Sequence, residues 1–184
     1  MADFFSRFGV EQWLALMSAV LAISSFVLNL RLVARQEKRN ATSLKLAYDS
    51  NVIDWSDEVL HVLADAHEVL AEKGVSYGDA DFPMRRSETR AKLSALIDRG
   101  RIFFPNRTDT DHGADKDMGF QGHRQPILST LVRAYGAIDK GGDGPGPDRV
   151  AVDALMVERR KFVAEVFKAV DPVRRGRKIE EITT

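Results

Sequence analysis

From Trp13 to Leu30 the chain runs through 18 residues without a charge, and Leu32, Val33 and Ala34 prolong the apolar run past Arg31. About 20 such residues in a helix cross the hydrocarbon core of a bilayer, so 13–34 is predicted to be a transmembrane helix. The competing reading is a cleaved signal peptide. That needs a charged start, a shorter apolar stretch and small residues before the cut, whereas here the positive charge follows the run and Leu32 spoils the site after Ala34.

Beyond the run the pattern becomes amphipathic. Neither Pro nor Gly occurs between Val10 and Lys73, so the span is expected to continue as a stalk into a first soluble helix, 41–73, which Gly74 ends as a C-cap. At 100° per residue, Asp54, Asp57, Glu58, His61, Asp65, Glu68 and Glu72 form one polar stripe. The remaining arc carries Val52, Ile53, Trp55, Val59, Leu60, Val62, Leu63, Ala66, Val69 and Leu70, wide enough to pack against at least two other helices.

Three further helices follow from periodicity and punctuation: 83–99, with Pro83 first and Gly100 after its end; 124–138; and 148–171, with Asp148 as N-cap and Pro172 as stop. In the last, Leu155, Phe162, Val163, Val166, Phe167 and Val170 share one side, while Asp153, Glu158, Arg160, Lys161, Glu165 and Lys168 share the other. Arg159 interrupts the apolar side, where a charge needs a partner, a docking subunit or an outward route for its stem. No window alternates like a strand for more than about five residues. The predicted fold is all-α: one N-terminal transmembrane helix continuing into a cytoplasmic four-helix bundle. The chain divides into an outer-face segment 1–12, the span 13–34, a helical domain 35–171 with room for one core, and a basic tail 172–184.

Charge supplies the orientation. Asp3, Arg7 and Glu11 precede the span, and Arg31, Arg35, Lys38, Arg39 and Lys45 follow it against Glu37. The positive-inside rule then puts the N-terminus outside and the domain in the cytoplasm, which for a bacterial protein means the inner membrane. Phe4, Phe5, Phe8 and Trp13 would form an aromatic collar at the outer interface. The 184 residues hold 27 basic and 27 acidic side chains, but segment 31–48 carries +4, 49–82 carries −8, 83–107 carries +5 and the tail carries +2. Pairing between the acidic stripe and the basic helix 83–99 would choose neighbours more than it would add stability. The balance argues against nucleic acid as a partner. Absence of cysteine excludes disulfide scaffolds, thiolate zinc sites and thiol enzymes.

The bilayer is the first expected partner. Ala15, Ser18, Ala22, Ser25 and Asn29 recur at steps of three and four, placing small and polar residues on one face of the span. Such a seam lets helix backbones approach, giving a homo-oligomer or a contact with another membrane protein. The plainer reading is single tolerated residues with Asn29 near the headgroups. The tail cluster Arg174, Arg175, Arg177 and Lys178 is either solvated or set against anionic lipid.

Candidate chemistry is sparse. Glu58 and His61 have the Glu-x-x-His spacing of half a di-iron site, but there is no second such pair and both fall in the polar stripe. His67 falls on the apolar side beside Leu60 and Leu63, where burial would disfavour its charged form. Asp109, Asp111, Asp115 and Asp117 alternate like oxygen ligands, yet Ala114 and Phe120 occupy the places where a calcium loop needs Gly and Glu, which leaves a mobile acidic loop. Arg107 and His112 resemble the Arg-x4-His spacing of HEPN ribonucleases, in a setting too acidic for phosphate. The glycine-rich stretch 141–147 lacks the Lys-Ser or Lys-Thr of a phosphate loop and reads as a linker. No catalytic residue, metal site or cofactor is predicted.

More distinctive is the run Asp98-Arg99-Gly100-Arg101-Ile102-Phe103-Phe104-Pro105-Asn106-Arg107, with Gly119 to Leu128 beyond it. Phe104 before Pro105 is expected to be extended, laying Ile102, Phe103 and Phe104 across the end of the bundle. If these loops enclose a pocket, Arg101, Asn106, Arg107 and Arg124 are its candidate ligands for an anion; otherwise they plug the core.

Three segments carry a resemblance: Arg101-Ile102-Phe103-Phe104-Pro105-Asn106, Arg124-Gln125-Pro126-Ile127-Leu128, and Asp171-Pro172-Val173-Arg174-Arg175. Across nearly its whole length the chain resembles a group of bacterial single-span membrane proteins. The resemblance implies the anchor-plus-bundle layout and brings no catalytic residue with it. The reading is an interaction or scaffolding protein, an accessory subunit of a membrane complex. The alternative is a membrane-tethered ligand sensor or ribonuclease-like enzyme using loops 101–124.

Overall fold

The computed structural model describes residues 10–73, 81–141 and 146–171. Among these, the regular structure is four α-helices, one 3₁₀ turn and no strand: α1 (Val10–Ala71), α2 (Asp81–Phe103), the turn Met118–Phe120, α3 (Pro126–Lys140) and α4 (Arg149–Val170). The Gly74 cap, the Phe4, Phe5 and Phe8 collar, most of the 141–147 linker, Pro172 and the tail arginines lie outside the described residues.

The expected span, stalk and first soluble helix are one element. α1 runs for 62 residues, about 93 Å at roughly 1.5 Å per residue, because nothing in it breaks the hydrogen-bond ladder. Its two halves live in different surroundings. The first is apolar on all sides and uncovered, with Leu14, Leu21, Ile23 and Phe26 each 64% exposed, and an 18-residue window there has a mean hydropathy of 2.0. The helix is therefore long and apolar enough to cross a membrane. The second half buries Val52, Trp55, Val59, Leu63, Ala66, Val69 and Leu70, the wide arc that the polar stripe leaves free.

α1 packs on both α2 and α4, and α3 closes the arrangement by packing on α2 and α4. One core fills the space between them. At its centre the fully buried Trp55 donates Nε1–H to the carbonyl of Leu96 at 2.9 Å. Its ring meets those of Phe103, Phe104 and Phe162 at centroid separations of 6.0, 5.7 and 5.6 Å, distances at which aromatic pairs attract beyond their buried area.

That tryptophan explains why α2 does not end where the sequence says. Gly100 is helical and buried inside α2, and a Cβ built on it would lie 2.6 Å from Trp55 Cζ2 and 2.7 Å from Leu128 Cδ2. The glycine is there for close approach of α1 and α3, and the helix continues to Phe103, where Pro105 removes the next donor. Ile102 and Phe103 are thus helical rather than extended, and Ile102 is 79% exposed instead of lying across the core. α3 starts two residues later than expected, at Pro126, since proline suits the first helical turn. Asp148 caps α4 as predicted, accepting from the Ala151 amide at 3.0 Å.

One charge in α4 departs from its expected place. Glu158, assigned to the polar side, is buried, and it accepts from Arg133 Nε at 2.8 Å and Lys161 Nζ at 2.7 Å. Arg159 is half-buried beside it. Burial opposes ionisation of Glu158, but hydrogen bonds and charge from Lys161 and Arg133 together outweigh it and hold the carboxyl below its ordinary range. Phe167 also departs from expectation: it is 60% exposed and lines a cavity of about 270 Å³ between α1 and α4.

Candidate functional site

The segment joining α2 to α3, residues 104–125, is folded on itself rather than loose. Tyr48 of α1 donates its hydroxyl to the Phe103 carbonyl at 2.6 Å, which ties the end of α2 and the root of the loop to α1. Burial, and after it the charge of Asp49, raises the pKa of that phenol, keeping it a donor across the neutral range. A neck then closes where Arg107 and His123 exchange backbone hydrogen bonds of 2.9 and 2.8 Å. Gln125 adds a bond to the Pro105 carbonyl at 3.0 Å. Gly122 makes the neck possible: its φ is +77°, and a Cβ there would stand 2.1 Å from the Arg107 carbonyl oxygen.

Inside the neck the aspartate-rich stretch makes successive tight turns, with hydrogen bonds from Ala114 to Asp111, Lys116 to Gly113 and Phe120 to Asp117. The amide of Gly122 donates to the His112 carbonyl at 2.7 Å, and the His112 and His123 rings stack at 4.5 Å and 9°. The outcome is a compact loop pinned at its ends, of the kind that carries function in other folds. It replaces the mobile acidic loop of the sequence reading.

Between this loop and the end of α2 lies a cavity of about 190 Å³, lined by Arg101, Asn106, His112, Lys116, Phe120, Gly122, His123 and Arg124. Three of the four candidate anion ligands, Arg101, Asn106 and Arg124, are brought together there. The fourth, Arg107, contributes its backbone to the neck and does not line the cavity; its side chain is exposed. The His112 ring stacks on that of His123.

The electrostatics are one-sided. Three full cations and two imidazoles line the wall, with no carboxylate among them. Arg101 lies flat over the Phe120 ring at 4.4 Å and has Asp98 at a long 3.4 Å. Desolvation first, and the Arg101 charge second, push Arg124 below the ordinary arginine value, as expected for two guanidinium groups sharing one hollow. Asn106 Oδ1 is buried without a hydrogen-bond partner. Lys116, His112, His123 and Phe120 were missed as partners of Arg101 because their juxtaposition depends on the neck, and only Gly122 hints at it in sequence.

The other candidates are surface features. Glu58 is held by Arg99 through bonds of 2.8 and 2.9 Å, which is where the acidic stripe of α1 meets basic α2, and His61 lies 3.5 Å from Asp57. His67 is half-buried. Among the described residues no three metal-binding side chains converge. In the apolar half of α1, Ala15, Ser18, Ala22, Ser25 and Asn29 are all exposed, and the Ser18 hydroxyl donates to the Leu14 carbonyl at 2.8 Å.

No family model, no curated protein and no solved structure matches the chain.

Proposed function

We propose that this is a single-pass membrane protein whose four-helix bundle is an interaction or scaffolding module held at the cytoplasmic face. One observation carries the reading: α1 is uninterrupted from an exposed, all-round apolar stretch into the centre of the core. A helix surface of that kind is stable in lipid and a liability in water. The basic residues from Arg31 to Lys45 support a cytoplasmic domain with the N-terminus outside, and the small-residue seam supports self-association or a membrane-protein partner.

The chain lacks cysteine, so single cysteines introduced at Asp3 and Thr110 report topology cleanly. In intact bacterial cells an impermeant maleimide should label Asp3→Cys and spare Thr110→Cys until the membrane is opened. Release of the protein by alkaline carbonate, or labelling in the opposite order, would overturn the proposal.

A second reading, ligand sensing through residues 101–124, is favoured by the cationic cavity and the unsatisfied Asn106 oxygen.

A further inference from the structure

We propose that the hollow under the 104–125 loop is a binding site for a phosphate group, held by Arg101, Lys116 and Arg124. The proposal deepens the ligand-binding reading of this loop and stands whether or not α1 crosses a membrane.

Three observations converge on it. The cavity, about 190 Å³, is large enough for a tetrahedral oxyanion with part of whatever carries it. Arg101 and Arg124 face the same space closely enough that one disturbs the charge of the other. Like charges crowded in a partly desolvated hollow repel, and an anion between them converts that repulsion into two charge-assisted hydrogen bonds. The guanidinium of Arg101 is already oriented, lying over Phe120 with its side chain only 14% exposed, so less rotamer freedom is lost on binding.

The position of the hollow permits two sources. Through Tyr48 it sits at the end of the domain nearer the apolar half of α1. Tyr48 lies fourteen residues past Ala34, about 21 Å along the helix. Free phosphate and the monoester headgroup of phosphatidic acid offer the same chemistry there.

The test uses the full chain in detergent and in phosphate-free buffer. Calorimetric titration with inorganic phosphate should show saturable binding. Arg124→Gln and Lys116→Gln, both at exposed positions, should each weaken phosphate roughly tenfold. Reconstitution into phosphatidylcholine vesicles, with or without phosphatidic acid replacing one lipid in ten, separates the sources. If the lipid suppresses phosphate binding, the headgroup is the ligand; if it does not, the free anion is. Absence of saturable binding to either, or phosphate affinity unchanged in both charge variants, refutes the proposal. Circular dichroism and Trp55 emission of each variant show that a loss is not unfolding.

Discussion

Gly100→Ala tests what this glycine does in the fold. As a helix terminator in the left-handed region it would cost about 1–2 kcal/mol to replace by alanine, but here it is helical and inside α2. As an interior helical residue with open space, alanine would add stability, since glycine costs about 1 kcal/mol relative to alanine in a helix. In the structure the new methyl would stand 2.6 Å from Trp55 Cζ2 and 2.7 Å from Leu128 Cδ2, well inside contact distance. Leu128 can yield by a rotamer change. Trp55 cannot yield cheaply, because its indole is bonded to the Leu96 carbonyl and enclosed by Phe103, Phe104 and Phe162. Overpacking of this kind costs about 1–3 kcal/mol, so after the helix-propensity gain the net destabilisation should be about 0–2 kcal/mol. Gly136, inside α3, has nothing within 4 Å of where a Cβ would stand and serves as the control. Gly136→Ala should stabilise by about 0.5–1 kcal/mol. Urea unfolding of the full chain in mild detergent, followed by Trp55 emission in a Trp13→Phe background, measures both. If Gly100→Ala is as stabilising as Gly136→Ala, the packing argument around Trp55 is wrong.

Other expectations follow from the same contacts. Gly122→Ala forces a methyl against the Arg107 carbonyl and should open the neck, speeding amide exchange at Arg107 and His123 by at least roughly tenfold while the melting of the core barely moves; unchanged exchange there would count against the neck. Glu158→Gln removes a carboxylate held below its ordinary range, so its stabilising effect is full above the unfolded-state value and vanishes as pH falls through the lower folded value. Wild type should therefore exceed the variant by about 1 kcal/mol near neutral pH, and the two denaturation curves should converge in acid; a constant gap would contradict the assignment. Replacing Ser18, Ala22 and Ser25 together by Leu should lower the oligomer mass seen by light scattering in detergent, and an unaltered mass would remove the seam from consideration.

Much of the layout was legible without coordinates, because helical periodicity is a local property. The uncharged run from Trp13, the absence of helix breakers up to Lys73, the polar stripe from Asp54 to Glu72 and the Asp148 cap each depend on residues within a few turns of one another. They sufficed to predict an all-helical chain with a helix apolar enough for a membrane. That Arg101, Asn106 and Arg124 belong together was also legible, and they line one cavity.

What only the tertiary structure decided are matters of close approach between distant parts of the chain. Gly100 looked like a stop because the Trp55 ring that requires it comes from another helix, and α2 therefore continues through Ile102 and Phe103. Glu158 looked exposed because Arg133, which partners it, belongs to α3. Arg107 looked like a ligand, and Lys116 and His123 did not, because the bridge between Arg107 and His123 sets which side chains face the cavity. Spacing along a helix reports which residues share a face; it carries no information about what stands opposite that face, and the opposite wall decides packing, pairing and the shape of a site.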